Sequence, residues 1–163
     1  MPEKTLLVIA GPTAVGKTAY CVELAKKLAT DVVSADSRQF YRELTIGTAK
    51  PTPEEMGGVT HHFIDSHSIT ETYTAGQYER DCLKLLEELF QKKDVVILTG
   101  GSGLFLKVVT DGMDEMPDPD PELRQELRRR LETEGLPALL EDLHRLDPVF
   151  YEKIDRQNPV RVL

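Results

Sequence analysis

The glycine-rich segment near the N-terminus constrains the fold more than any other part of this chain. A short apolar run ends at Ala10, and Gly11 to Thr18 then fit the nucleotide-binding pattern G-x-x-x-x-G-K-S/T. A helix is predicted for Ala19 to Ala29. Strand, glycine loop and helix in this order predict a phosphate-binding loop, whose backbone N–H groups and helix dipole hold an anion. We expect these residues to contact the phosphates: Gly11, Pro12, Thr13, Ala14, Val15, Gly16, Lys17 and Thr18.

Two side chains of this loop carry its chemistry. Lys17 supplies a positive charge to the outer phosphate, and the Thr18 hydroxyl is placed to ligate Mg²⁺, which is therefore the expected cofactor. A glycine turn that binds nothing would match the same pattern, but the flanking strand and helix favour the phosphate site. The pattern leaves open whether the bound compound is a triphosphate such as ATP or a diphosphate.

The elements after the loop predict an α/β fold of the P-loop NTPase type, with a parallel sheet flanked by helices. Asp31 to Asp36 is predicted as a second strand, Thr74 begins a long helix with a capping box, and Asp94 to Thr99 is a continuously apolar, buried strand. Further along, the chain becomes acidic and proline-rich, and only helices are predicted beyond that stretch. We therefore expect an α/β core over residues 1–112 and the start of an all-helical insertion over residues 113–163.

Composition limits the classes of partner. The net charge of −8 argues against a protein coated with basic residues for nucleic acid, but it leaves room for a local basic face. Cys21 and Cys82 lie in predicted helices without the spacing of a metal or redox motif, which indicates buried thiols in a reducing compartment. The sequence shows no signal pattern and no apolar run of membrane-spanning length. We expect a cytoplasmic monomer with no membrane partner.

Polar, glycine-rich segments follow three predicted strands: Gly11–Thr18, Asp36–Gln39 and Thr99–Gly103. Since ligands of open α/β sheets bind beyond the carboxyl ends of the strands, we expect these segments to meet around one pocket. Asp36 is the last residue of its predicted strand. It is the leading candidate for a general base or a metal ligand, although its side chain can instead cap the following turn. The neighbouring side chains can pair with a base edge or a phosphate, and they are Ser37, Arg38 and Gln39.

The strand Val95 to Thr99 ends without an acidic residue. A nucleotide hydrolase would normally carry a metal-binding Asp at that point, so the sequence favours a small-molecule kinase or another group transferase over an ATPase. Ser102 follows in the turn, where it can contact a phosphate or a second substrate, or simply lead into a helix.

Two further groups of residues have structural interpretations by default. His61 and His62 point to opposite faces of a strand, so a structural role is favoured over a metal site. Arg124 and the run 128–130 share a predicted helix with interleaved acidic residues, which by itself indicates a solvated face of mixed charge.

Four motifs occur in a characteristic order and spacing: Gly11-Pro12-Thr13-Ala14-Val15-Gly16-Lys17-Thr18, Asp36-Ser37-Arg38-Gln39, Ile46-Gly47-Thr48-Ala49-Lys50-Pro51 and Gly100-Gly101-Ser102-Gly103-Leu104. Together they resemble the tRNA dimethylallyltransferase family, the bacterial tRNA isopentenyl transferases. The phosphate loop alone is shared by many families, whereas the second and third motifs are highly specific. The resemblance runs along essentially the whole chain, down to Asn158–Arg161.

The resemblance implies that the loop holds dimethylallyl diphosphate rather than ATP. The dimethylallyl group is then transferred to N6 of adenosine 37, in the anticodon loop of tRNAs that read codons beginning with U, and diphosphate is released. By position, Asp36 is the implied general base, with Lys17 and Thr18 as the other catalytic residues and Thr18 as the magnesium ligand. The implied contacts with the tRNA anticodon stem-loop are Asp36, Ser37, Arg38, Gln39, Ser102, Arg124, Val160 and Arg161.

This sequence departs from the family pattern in two side chains and in length. Ser102 stands where the family more often has threonine, and Phe105 stands where tyrosine is common. Members of the family extend well past residue 163, and the chain stops where a helix is starting, so we expect a fragment of a longer protein. A P-loop small-molecule or nucleoside kinase is the main alternative; an adenylate prenyltransferase and a non-enzymatic RNA-binding module are the others.

Overall fold

The computed structural model describes residues 3–113 and 120–163. The chain forms two compact units, Met1–Asp114 and Glu115–Leu163, and each is treated separately below.

The first unit is built on a parallel sheet in which the last strand lies near the centre. Its strands are β1 (Thr5–Ala10), β2 (Val32–Ser34), β3 (His61–His62) and β4 (Val95–Gly100), and their spatial order is β1-β4-β2-β3. β4 pairs with β1 on one side and with β2 on the other. Val96, Ile97 and Leu98 are fully buried, as the continuously apolar run predicts.

Helices cover both faces of the sheet in the first unit. They are α1 (Lys17–Leu28), α2 (Pro53–Met56), α3 (Ala75–Phe90) and α4 (Gly103–Thr110). α2 and α3 each open with a capping box, in which Thr52 and Thr74 accept hydrogen bonds from the backbone N–H three residues on. α1 begins two residues earlier than predicted, inside the glycine loop. The predicted α/β fold, a parallel sheet flanked by helices, is confirmed.

One strand is shorter than predicted, and this changes the place of Asp36. β2 ends at Ser34 rather than at Asp36, because its pairing with β4 stops at the register pair Ser34–Thr99. The Asp36 carboxylate then accepts a hydrogen bond from the backbone N–H of Arg38 at 3.0 Å, which turns the chain away from the sheet. Asp36 therefore lies two residues beyond the strand, in a turn.

The two faces of the sheet have different cores. Cys21 and Ala25 of α1 pack with Val32 and Ile97 on one face, whereas α3 and α4 cover the other. That second face holds an aromatic cluster made up of Phe40, Phe63, Tyr73, Tyr78 and Phe105.

Burial also governs the titratable groups of this core. The Tyr78 hydroxyl donates to the carbonyl oxygen of Ser34 at 3.0 Å, and burial raises the pKa of Tyr78 above its ordinary value. Both cysteines are buried free thiols; burial raises the pKa of Cys21, and it raises the pKa of Cys82 to about 11. Both side chains therefore stay uncharged inside the protein at neutral pH.

The described part of the second unit, residues 120–163, contains helices and no strands. Its helices are α5 (Pro121–Glu134), α6 (Leu136–Leu146), α7 (Pro148–Lys153) and α8 (Pro159–Val162). Asp120, Asp147 and Asn158 cap α5, α7 and α8 through their side chains. Arg130 joins α5 to α6, because its guanidinium bonds Asp142 at 2.9 Å as well as Glu134. Within the described residues, no helix is both long and apolar enough to cross a membrane.

Gly100 at the end of β4 provides a test of this packing. A Cβ atom at this position would overlap the backbone carbonyl of Ala35, and neither backbone can move without separating β2 from β4. We expect Gly100→Ala to lower the free energy of unfolding by about 1–3 kcal/mol, measured by urea denaturation. Gly103→Ala is the matched control, since a Cβ at Gly103 has no atom within 4 Å and alanine favours the helix that begins there. Equal stability of the two variants would contradict this account.

Candidate functional site

A cleft with a volume of about 370 Å³ lies at the carboxyl ends of β1, β4 and β2. All three polar segments that the sequence places after strands contribute to it. Of the predicted site residues, those that line the cleft are Thr13, Ala14, Gly16, Lys17, Thr18, Asp36 and Gln39. Thr99, Gly100 and Gly101 form the wall between the phosphate loop and Asp36. The local order of strands thus brings together residues that are distant in sequence.

The phosphate loop has the backbone geometry of an anion-binding turn. Ala14 and Gly16 have φ angles of 66° and 91°, and these left-handed residues let successive backbone N–H groups converge on one point. α1 starts directly after Gly16, so the positive end of its dipole also faces the loop. The Lys17 ammonium donates to the carbonyl oxygens of Gly11 and Pro12, at 2.8 and 2.7 Å. The loop therefore presents donors and positive charge at the cleft.

Asp36 presents one carboxylate oxygen to the same region. Its Oδ1 is bound to the turn, whereas Oδ2 accepts no hydrogen bond from any residue that the structure describes. A Cβ atom on Gly101 would lie 4.0 Å from Oδ2, 3.8 Å from the Thr13 hydroxyl and 3.6 Å from the Gly11 carbonyl oxygen. The absence of a side chain at Gly101 therefore keeps open the space between the carboxylate and the phosphate loop. Oδ1 of Asp36 thus caps the turn, and Oδ2 stays available for the chemical role.

Ser102 and Ser37 are joined to each other beside the Asp36 turn. The backbone N–H of Ser37 donates to Ser102 Oγ at 3.2 Å, and Ser102 Oγ donates to Ser37 Oγ at 3.3 Å. These bonds tie the start of α4 to the turn. Arg38 is exposed next to them.

Gln39 uses its amide group within the chain. Its Oε1 accepts from the Ser34 hydroxyl at 3.2 Å, and its Nε2 donates to the carbonyl oxygens of Thr48 and Ala49 at 3.3 and 3.0 Å. Gln39 thereby joins the end of β2 to the segment that precedes α2. It lines the cleft as an anchored side chain.

Several cleft residues carried no functional assignment from sequence, namely Ser34, Ala49, Lys50 and Glu55. Ala49 and Lys50 belong to one of the four motifs, but that segment has no helical or strand periodicity to show where its side chains go. Glu55 lies in the first turn of α2, where its carboxylate accepts a hydrogen bond from the backbone N–H of Thr52 at 2.8 Å. The position of Lys50 could be recognised only in the folded chain, because its partner Asp65 lies 15 residues further along the sequence.

The remaining predicted site residues belong to the second unit or lie outside the cleft lining. Arg124 is exposed on α5, and Val160 and Arg161 are exposed on α8. In the first unit, Pro12 and Val15 are exposed loop residues that do not line the cleft.

The cleft suits a metal ion only in company with a phosphate ligand. Within residues 3–113 and 120–163, no group of three or more His, Cys, Asp or Glu side chains could hold a metal. Thr18 and Asp36 both line the cleft and offer oxygen donors, which is the kind of partial ligand set that Mg²⁺ completes with phosphate oxygens and waters.

The two adjacent histidines bond groups of the protein, in agreement with a structural role. His62 bonds Asp31 at 3.0 Å, and His61 donates to the carbonyl oxygen of Val59.

Comparison with known protein families and curated proteins finds relatives along nearly the whole chain. A family model described as IPP transferase matches residues 39–163. A tRNA dimethylallyltransferase of Cytophaga hutchinsonii is 52% identical over 159 residues, which cover 98% of this chain and 52% of that protein. A tRNA dimethylallyltransferase of Porphyromonas gingivalis is 48% identical over 161 residues, covering 99% and 54%.

Solved structures give the same result. The tRNA isopentenylpyrophosphate transferase of Bacillus halodurans is 37% identical with a TM-score of 0.67, covering 98% of this chain and 53% of that one. A eukaryotic dimethylallyltransferase, described as acting on tRNA, is 25% identical with a TM-score of 0.81, covering 98% and 40%. The chain spans about half the length of the curated relatives it matches.

The geometry of the loop predicts that Lys17 contributes to the binding of a diphosphate group. We expect Lys17→Met to weaken the binding of inorganic diphosphate with Mg²⁺ by about tenfold to a hundredfold, because a hydrogen bond to a charged group contributes about 1.5–3 kcal/mol. Titration calorimetry measures the change. Lys27→Met is the control, since Lys27 pairs with Glu23 on the exposed face of α1. If Lys17→Met bound diphosphate as well as Lys27→Met does, the assignment of the anion site would be wrong.

Proposed function

Because the chain belongs to the IPP transferase family, we propose that it is the P-loop portion of a tRNA prenyltransferase. The enzyme transfers a dimethylallyl group from dimethylallyl diphosphate to N6 of an adenosine in tRNA and releases diphosphate. We propose adenosine 37 of the anticodon loop, in tRNAs that read codons beginning with U, as the acceptor. The names of its relatives support the reaction class, since those proteins are tRNA dimethylallyltransferases.

One observation supports this chemistry above the others: an anion-binding loop and a carboxylate oxygen face each other across Gly101. Thr13 of the loop and Oδ2 of Asp36 both approach the space above this glycine. β4 ends in Thr99 and Gly100 and is followed by Gly101, without the acidic residue by which a nucleotide hydrolase binds its metal. A leaving group that is a phosphate anion and an acceptor that loses a proton suit the two sides of this cleft.

The transfer step uses the two sides together. The N6 nitrogen forms a bond to the allylic C1 as the C1–O bond breaks, and diphosphate leaves with that electron pair. The loop N–H groups and the Lys17 ammonium stabilise the negative charge that develops on the leaving group. Asp36 Oδ2 accepts the proton that N6 loses and holds the amine in line with the allylic carbon.

Mg²⁺ is proposed as the cofactor, bound by the Thr18 hydroxyl and by the oxygens of the diphosphate. When bound, it supplies further positive charge to the leaving group. Lys17 directly precedes Thr18 in the chain, so its ammonium group and the metal would act on the same anion.

The acceptor base has to leave its stack, because Asp36 lines a cleft of about 370 Å³ that a stacked base does not enter. We propose that the turn Asp36–Gln39 and Ser102 contact the extruded nucleotide, and that Arg124 and the pair Val160–Arg161 contact the RNA elsewhere. The bonds of Gln39 and Ser102 within the chain support this assignment, since they fix the backbone against which the base would rest.

A P-loop kinase is the alternative, and the Gly11–Thr18 loop itself is the observation that favours it. The test is to incubate the full-length protein with unmodified tRNA and dimethylallyl diphosphate, without ATP, and to analyse the nucleosides by mass spectrometry. We expect N6-dimethylallyl adenosine. Phosphoryl transfer from ATP without any prenylated product would replace the transferase proposal by the kinase.

Asp36 provides the matched variant for this assay. We expect Asp36→Asn to lower kcat by about 10²- to 10⁴-fold, the usual contribution of a general base, while tRNA binding persists. Asp31→Asn is the control, since this half-buried carboxylate lies before β2 and bonds His62. Full turnover by Asp36→Asn would show that Asp36 is not the base, and loss of both binding and turnover would assign it to binding.

Arg124 provides a test of the proposed local RNA contact, which the net negative charge of the protein does not exclude. Within the described residues Arg124 forms no ion pair, whereas Arg129 makes two bonds to Glu126 at 2.6 and 2.9 Å. We expect Arg124→Gln to weaken tRNA binding and to reduce the slope of log K against log salt by about one, because a phosphate contact is lost. Arg129→Gln should leave the slope unchanged. An unchanged slope in Arg124→Gln would remove Arg124 from the interface.

A further inference from the structure

Lys50 is a buried lysine in the wall of the cleft. Its side chain is 6% exposed, and its ammonium donates to the carbonyl oxygen of Tyr41 at 2.6 Å and to Asp65 Oδ1 at 2.5 Å. We name this arrangement of Lys50, the Tyr41 carbonyl and the Asp65 carboxylate the Lys50 clamp. It joins three segments that meet only in the folded protein.

The clamp reinforces a short backbone ladder next to the Asp36 turn. In this ladder the N–H groups of Asp65 and His67 donate to the carbonyl oxygens of Gln39 and Phe40, at 3.0 and 2.9 Å. Lys50 bonds the same two segments, through the carbonyl oxygen of Tyr41 and the side chain of Asp65. Gln39 is thus held by its main chain to Asp65 and by its side chain to the residue before Lys50.

The backbone on both sides of the clamp is strained. Ala49 and Asp65 have φ angles of 48° and 53°, in the left-handed region that most residues avoid. Such conformations persist only where the surrounding structure fixes them. The Lys50 clamp anchors Asp65 and the residue next to Ala49, and it adds to the hydrogen bonds that Gln39 makes with Asp65 and Ala49.

Packing alone does not explain a lysine at this position. Burial of an ammonium group removes its hydration, and an apolar side chain of similar volume often fills such a position at no loss of stability. A buried charge with directed bonds does, however, specify one arrangement of the groups it joins. The clamp therefore bears on geometry more than on stability.

We propose that Lys50 is a positioning residue of the transferase, a conclusion that rests on the function proposed above. Through the clamp it fixes the segment 48–50, and this segment fixes Gln39 through the carbonyl oxygens of Thr48 and Ala49. The N–H of Gln39 donates in turn to the carbonyl oxygen of Asp36 at 3.2 Å. Lys50 thereby holds the Asp36 carboxylate where the adenine amine must meet it.

The test is Lys50→Met in the full-length enzyme, since methionine keeps an unbranched apolar side chain of similar length. We expect kcat to fall by about tenfold to a hundredfold, because small displacements of a catalytic group are costly. The KM for dimethylallyl diphosphate should stay within about twofold, because the loop that binds it is not part of the clamp. A general loss of structure would change both values.

Lys4→Met is the matched control. Lys4 has the same pattern of bonds, to the carbonyl oxygen of Lys93 at 2.9 Å and to Asp94 Oδ1 at 2.7 Å, but it lies before β1 at the opposite end of the sheet. We expect this variant to keep the wild-type kcat. If Lys50→Met and Lys4→Met had the same kcat, the proposal would be overturned.

Asp65→Asn is a second, milder variant that decides the question even where Lys50→Met fails to fold. Asparagine tolerates the φ angle of 53° and keeps an oxygen for the ammonium, so the fold is preserved while the clamp loses its charge. We expect kcat to fall by about threefold to tenfold, and to fall no further in Lys50→Met/Asp65→Asn than in Lys50→Met alone. A wild-type kcat in Asp65→Asn would count against the clamp.

The two proposals fail in different ways. If the wild-type enzyme forms no prenylated tRNA, the transferase function is wrong and the role of Lys50 falls with it. If the wild-type enzyme is active and the Lys50 and Asp65 variants are equally active, only the positioning role is overturned.

Discussion

Close contact between the ends of β2 and β4 sets the geometry of the cleft. Gly100 lies against the backbone of Ala35, with no room for a Cβ atom between them. Because β4 also pairs with β1, this contact brings the phosphate loop that follows β1 and the turn that follows β2 to the two sides of one glycine wall. This backbone contact thus fixes the separation of the two segments that carry the phosphate loop and Asp36.

Opposite charges on the two sides of this wall perform different tasks. Lys17 is held to the carbonyl oxygens of its own loop, and Asp36 has one oxygen bound to its own turn. Each charged group is therefore oriented by its own segment, and the two are not joined in an ion pair that a substrate would first have to break. Such preorganisation favours charge that develops during a reaction over charge already present.

The sequence predicted those parts of the fold and site that depend on local patterns. The glycine loop, the capping box at Thr74 and the buried strand β4 are each determined by residues within a few positions of one another. The length of β2 was predicted wrongly, because it depends on where pairing with β4 stops. The Lys50 clamp could not be predicted, since its partners become neighbours only through the fold.

The arginines of α5 show that the ion pairs of a protein surface also depend on contacts that the sequence does not reveal. As a sequence they form one cluster, but Arg130 is committed to Asp142, twelve positions away on α6, and Arg129 to Glu126. Arginines that already hold carboxylates are poor candidates for phosphate contacts, because a new partner must first displace the old one. The RNA binding proposed for a protein with a net charge of −8 therefore needs only a few arginines, such as Arg124, that its acidic residues do not already neutralise.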